Sequence, residues 1–265
     1  FEFFIQNMRS MKKYVIVLLL SLYAASGAAQ TEYRIDLQPF EASMKRALNE
    51  WQIPGMAIAI VKDGDIIYEK GIGVRKTGTT EKVDPHTLFA IASNTKAFTA
   101  GSLAKLVDQG RLSWDDYVID YLPWFRLYDP YVTSHFTIRD LLTHRSGLKT
   151  FSGDLLWYKT NYTTEEIIRR ARHLKPEHEF RGKFGYSNIM YAAAGEVLKA
   201  ITDTSWQDYV RAHFLEPLGM DRTTTTVKVL DETPNVASPH DYVDGEFKSL
   251  PYLSWDNMAP PAALN

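Results

Sequence analysis

"FAIASNTKAFTAGSLAKLVDQG", residues 89–110, carries Ser-x-x-Lys twice, as Ser93/Lys96 and as Ser102/Lys105. Whether either pair is a nucleophile with its base, or both are helix surface, decides the fold. The same spacing recurs at Ser10/Lys13 and Ser146/Lys149, so spacing alone selects nothing and position must. Ser10 lies in a leader that is discarded. Ser146 stands before Gly147 at the C-terminal end of a helix predicted over residues 137–144, where the negative end of the dipole opposes an alkoxide. Ser102 is in mid-helix, with its N–H already bonded to the carbonyl four residues back, and reads as helix surface. Ser93 differs: it ends the apolar run "TLFAIAS" and opens the helix, among first-turn N–H groups that have no intrahelical partner.

Lys96 follows one turn later on the same face, so its amine can reach the Ser93 hydroxyl. A lysine with an ordinary pKa of about 10.4 is protonated at neutral pH and cannot act as a base. Burial beside Phe89 and Phe98, near the positive helix end, would lower it. The same two residues also fit a plainer role, as an N-cap and a solvated cation. A second element bears on the choice. "FGYSNIMYAAAGEVLKAI" holds a Tyr-x-Asn, Tyr186 and Asn188, at a loop-to-helix junction preceded by Gly185. A tyrosine near a lysine can shuttle the nucleophile's proton, and an Asn amide can donate to a substrate carbonyl and orient the lysine.

Outward from these segments, "GMAIAIVKDG" and "DIIYEKGIGV" read as two antiparallel strands turning at Asp63-Gly64. A helix pattern over residues 37–51 precedes them. Helices follow at 94–109, at 137–144 behind a Thr137/Asp140 capping box, at 163–172 behind Thr163/Glu166, at 187–202, and at 205–215 behind Ser205/Asp208. Strands followed by a block of helices predict an α+β fold. The beginning of the chain reads as leader and signal peptide, residues 1–29: Lys12 and Lys13 precede an apolar run and then small residues. That run is too short to span a bilayer, so the expectation is export to the periplasm or medium, with residues 30–265 as the domain and no stable membrane span after cleavage.

The 265 residues, 45% hydrophobic, suffice for a sizeable core, and a net charge of -2 without basic runs offers no footprint for nucleic acid. A small-molecule or peptide partner fits better. Zero cysteines exclude disulfides, Cys-ligated metals, a Cys nucleophile and a lipoprotein anchor, and the seven histidines form no H-E-x-x-H. No metal or cofactor is expected. His144 and His178 read as structural, Glu165/Glu166 and Arg169/Arg170 as a solvated helix face, and the absence of G-x-S-x-G argues against an α/β-hydrolase.

"TLFAIASNTKAFTA", "RDLLTHRSGL", "YSNIMYAAAGEVL" and "FLEPLGM" together resemble the serine β-lactamase and penicillin-binding-protein superfamily, nearest its class C β-lactamase, D-alanyl-D-alanine carboxypeptidase and esterase branch. The resemblance runs from about Trp51 to the last residue. It implies Ser93 as the acylated nucleophile, Lys96 as its base partner, Tyr186 as the second acid/base group and Asn188 as a substrate-amide ligand. It also implies an antiparallel sheet flanked by helices, with an all-helical lobe forming the other wall of the cleft.

One departure stands out. The family's third motif, Lys or His followed by Thr or Ser and Gly, comes after the Tyr-x-Asn, and nothing after Asn188 supplies it. The Lys76-Thr77-Gly78 run precedes Ser93 among turn residues and reads as a loop. With "APPAALN" resembling the small-residue segment ahead of the family's last third, the expectation is a domain incomplete at its C-terminus. It would lack later strands and leave Phe98, Leu103 and Leu106 short of partners. The expected activity is that of an exported serine hydrolase working through an acyl-enzyme on a β-lactam, D-Ala-type peptide or ester carbonyl. The alternative is a penicillin- or peptidoglycan-binding or sensing module of the same fold that does not turn over. Oligomeric state is left open.

Overall fold

The computed structural model describes residues 36–265. The described residues divide into two compact units, one ending at Gln52 and one spanning residues 53–265. The leader and signal reading, residues 1–29, lies outside the described residues. In the first unit, helix α1 (Gln38–Glu50) has Pro39 in its first turn, where the missing N–H is no loss, with Glu41 favourably placed near the positive dipole end. No described helix is long and apolar enough to cross a membrane.

The second unit opens with β1 (Gly55–Lys62) and β2 (Asp65–Gly73), antiparallel from Gly55 opposite Gly73 to Lys62 opposite Asp65, with a bulge at Ile60/Val61. Asp63 and Gly64 both have positive φ, 53° and 92°, as the two-residue turn that matches strand twist requires. The Lys76-Thr77-Gly78 run lies in the turn that follows, Thr77 donating its N–H to His240 Nε2 at 3.0 Å.

Helices then dominate. These are α2 (Thr95–Asp108), α3 (Val118–Tyr121), α4 (Pro130–His135), α5 (Ile138–Thr143), α6 (Thr164–Arg170), α7 (Asn188–Thr202) and α8 (Trp206–Val210), which widens into a π-type turn over Arg211–Leu215. The capping boxes at Thr137/Asp140 and Thr163/Glu166 are both reciprocal. That at Ser205 is half formed: its hydroxyl accepts from the Asp208 N–H and donates to the Asp208 carboxylate. A short α9 (Ala259–Ala262) follows.

Strands do follow the helices, unread in the sequence: β3 (His240–Val243) and β4 (Glu246–Ser249) form a second antiparallel pair, turned at Asp244-Gly245 with φ of 56° and 83°. They do not join β1–β2, which has no third strand among the described residues. The expected shortage of partners for α2 fails, because Leu103 and Leu106 are both fully buried and Phe98 meets the Phe214 ring edge-on at 5.9 Å. The physical reason is α7, apolar on nearly every face, with ten buried residues. It runs through the centre of the core, and α2, α8 and α9 pack around it. Each large side chain sealed this way contributes about 1.5–3 kcal/mol. Gly195 on α7 is required by this packing, since a Cβ there would lie 2.2 Å from the Pro260 ring.

Candidate active site

Three elements converge on the Ser93 hydroxyl. The first is the turn Ala92–Asn94 that leads into α2. Ala92 has φ of 43°, a left-handed backbone that costs an alanine about 1 kcal/mol and bends the chain just before Ser93. Ser93 is thereby exposed while Lys96, one turn on, is buried. The second element is the 181–187 loop. It is anchored where Arg181 makes a bidentate pair with buried Asp140, Nε to Oδ1 at 2.9 Å and Nη2 to Oδ2 at 2.7 Å, and it delivers Tyr186 and then Asn188 at the first residue of α7. The third is α9, whose Pro261 carbonyl faces the lysine.

The distances are short. Ser93 Oγ accepts from Lys96 Nζ at 3.1 Å and from the Tyr186 hydroxyl at 2.8 Å. Lys96 Nζ also donates to Asn188 Oδ1 at 2.8 Å and to Pro261 O at 3.0 Å. Asn188 Nδ2 in turn donates to Asp154 Oδ2 at 3.0 Å. Burial pulls the Lys96 pKa below its usual value, partly opposed by Tyr186. The aromatic surfaces nearest the amine are the rings of Tyr186 and Tyr191, at 4.8 and 5.4 Å. Phe98, expected beside it, is turned to Phe214 instead.

This geometry suits a neutral amine. Asn188 Oδ1 and Pro261 O take two N–H groups, which leaves the nitrogen lone pair for the Ser93 proton. Once it has that proton, the ammonium has three donors and three acceptors. The plainer alternative, a solvated first-turn cation, is excluded by the burial of Lys96.

The structure brings together all four residues singled out in the sequence, Ser93, Lys96, Tyr186 and Asn188. It gives both ends of the Asn188 amide to protein groups. Ser102 is not helix surface: it is fully buried, its hydroxyl donating to the Phe98 carbonyl at 2.7 Å. Ser146 is also buried, its Oγ accepting from the Leu148 N–H. It lines a 130 Å³ cavity with His178 that is bordered by none of the four. Next to Ser93, at Ala92, opens a larger space of 440 Å³, walled by Tyr158, Lys159, Tyr252, Leu253 and Trp255.

Two contributors escaped the sequence reading. Asp154, whose carboxyl pKa is raised by burial, fixes the Asn188 amide so that its oxygen faces Lys96. His144, read as structural, stacks on the Tyr186 ring at 4.4 Å. Neither has a local signal, because each meets its partner from another part of the chain; only its place in "RDLLTHRSGL" marked the His144 region.

Comparison with known proteins shows the family to which the chain belongs. The beta-lactamase family profile matches residues 40–263. Protein flp of Staphylococcus aureus (strain MW2) is 33% identical over 223 residues, covering 82% of this chain and 43% of that protein. Unguisins hydrolase ungD' of Aspergillus campestris is 34% identical over 195 residues, 70% of this chain and 36% of that protein. The chain thus spans less than half the length of these relatives. Among solved structures, the octameric penicillin-binding protein homologue from Pyrococcus abyssi superposes with a TM-score of 0.74 at 28% identity, over 87% of this chain and 53% of that one. With a family profile matched over most of its length, the chain belongs to the beta-lactamase family.

Proposed function

We propose that the protein is a serine hydrolase that works through an acyl-enzyme on a β-lactam, D-Ala-type peptide or ester carbonyl. The observation that carries this reading is the convergence of Lys96 Nζ and the Tyr186 hydroxyl on one exposed oxygen, Ser93 Oγ. Neutral Lys96 takes the Ser93 proton as Oγ attacks the carbonyl carbon. Tyr186 passes a proton to the leaving nitrogen or oxygen as its bond to that carbon breaks, and is itself reprotonated from Lys96. Water, deprotonated by the same pair, then attacks the ester, and Ser93 recovers its proton as the acid departs. Asn188, held by Asp154, serves chiefly to aim Lys96.

A fluorophosphonate should label Ser93, as located by mass spectrometry, and a chromogenic ester should turn over many times. Labelling undiminished in Ser93→Ala would sink the reading, and a single-equivalent burst without turnover would favour the sensing alternative. We further propose that the protein is exported, on the strength of the basic, apolar and small-residue succession in residues 12–29. N-terminal sequencing of the mature protein tests this, and a chain that retains Met11 would count against it.

A further inference from the structure

Tyr186 lies in a bracket made by a single residue. On its N-terminal side the Gly185 N–H donates to the carbonyl of His144 at 2.8 Å. On its C-terminal side the Ser187 N–H donates to Nδ1 of the same histidine at 3.1 Å. Between these two bonds the imidazole lies nearly parallel to the phenol, 4.4 Å away and tilted by 29°. The back of the imidazole is closed by Tyr191 at 5.3 Å, and its edge by Phe184 at 5.5 Å. The bracket is possible because His144 caps α5 in the left-handed conformation, φ 57° and ψ 38°. That conformation turns the carbonyl and the ring toward the same loop.

We propose that His144 is a positioning residue for Tyr186: by holding the backbone on both sides of the tyrosine and fixing the plane of its ring, it keeps the hydroxyl on Ser93. The inference rests on the serine-hydrolase reading above. A stacked ring alone would be ordinary packing. What singles out His144 is that the same side chain also supplies a hydrogen-bond acceptor to the peptide immediately following the tyrosine, a task that neither a phenylalanine nor an aliphatic side chain could perform.

The chemistry of the ring follows from that bond. A backbone N–H can only donate, so Nδ1 must accept, and the neutral ring carries its proton on Nε2. A proton on Nδ1 would leave the Ser187 N–H facing another donor. Burial, reinforced by the Lys96 charge, pushes the pKa of His144 down to about 4, which keeps the acceptor available at neutral pH. The titratable groups facing the ring are Lys96, Tyr186 and Tyr191.

Two substitutions separate the functions of the bracket. His144→Asn tolerates the left-handed backbone and keeps an acceptor oxygen, but loses the ring. His144→Phe keeps a ring and loses the acceptor. Each is expected to slow acylation of a chromogenic ester, by tenfold to on the order of a hundredfold, with the initial binding constant from pre-steady-state kinetics little changed, because the bracket aims Tyr186 rather than the ester. Either substitution made on Tyr186→Phe should have almost no further effect, since there is no hydroxyl left to aim. Full, multiplicative losses on top of Tyr186→Phe would assign His144 to general stability, and wild-type acylation rates in both single variants would also overturn the proposal. In the unsubstituted protein, nitrogen NMR of labelled histidine should find His144 neutral with its proton on Nε2. A proton on Nδ1 refutes the bracket even if neither variant folds. Turnover that survives in Ser93→Ala would condemn the underlying hydrolase reading instead, which a failure of the His144 effects alone would not.

Discussion

Two Ser-x-x-Lys pairs sit on the same stretch of chain, nine residues apart, and their surroundings are inverted. At the first, the serine is exposed and the lysine buried. At the second, Ser102 is fully buried and Lys105 reaches out over the Phe214 ring, 5.8 Å from its centre. The Ser93 hydroxyl accepts from two side chains, whereas that of Ser102 is spent on the carbonyl of Phe98, one turn back. The spacing therefore brings a hydroxyl and an amine to one face but does not make a nucleophile of either. What sets Ser93 apart, and supports the proposal that it is the nucleophile, is the helix boundary, where the left-handed backbone at Ala92 precedes an exposed serine and a buried lysine.

The largest expected contrast is between Ser93→Ala and Ser102→Ala. The first should abolish adduct formation and lower kcat by about a millionfold, the second should leave both within a few-fold. Loss of activity in Ser102→Ala with Ser93→Ala still active would reverse the assignment outright. Next comes the lysine. Lys96→Arg keeps the charge but cannot give up its proton, so acylation should fall by roughly two to four orders of magnitude, while Lys105→Arg should have no effect. Because the proposed mechanism uses the neutral amine and burial lowers its pKa, the rate should rise with pH and level off below 10.5. A stopped-flow pH profile should show this limb in the parent protein and lose it in Lys96→Arg.

Smaller effects belong to the second pair's turn, which is core. Leu106→Ala should destabilise the fold by about 2–5 kcal/mol in denaturant titration, with the fraction still folded retaining its activity. Smallest is the stability change in Ser102→Ala, within about 1 kcal/mol, since the bond it removes leaves the Phe98 carbonyl its place in the helix ladder. A Ser102 loss larger than that of Leu106 would show that the buried hydroxyl does more than satisfy itself.

Much of this was readable beforehand because it is local. The Asp63-Gly64 turn, the reciprocal caps at Thr137 and Thr163, and the loop-to-helix position of Tyr186 all follow from residues within a few places of one another. The β3–β4 pair was legible by the same rule, since Asp244-Gly245 is the same turn dipeptide as Asp63-Gly64. It passed unread because "HDYV" and "EFKS" are short and rich in charge, so no apolar run flanked the turn. The burial of Ser102 was not local at all, because it depends on α7, α8 and α9 arriving from later in the chain. Asp154 and His144 belong to the same class: 34 and 43 residues separate them from the groups they hold, and no period within either segment points across that gap.

The carbonyl of Pro261 that accepts from Lys96 lies 165 residues further along the chain. Nearby, the Thr99 hydroxyl donates to Pro260 O at 2.6 Å, the Ile91 N–H to Leu264 O at 3.0 Å, and the Leu264 N–H to Thr95 Oγ1 at 3.1 Å. These contacts have a temporal meaning. At about 5–20 residues per second, a ribosome that has just added Lys96 needs on the order of ten to thirty seconds to reach Pro261. Until Asn188 is made the amine lacks both of its fixed acceptors, and from then until Pro261 it lacks one of them and part of its cover, so burial does not yet favour the neutral form. On the proposed reading, reactivity would thus wait until the segment around Pro261 has been made and has docked on Lys96, and a nascent chain short of that point would carry Ser93 without a neutral amine beside it.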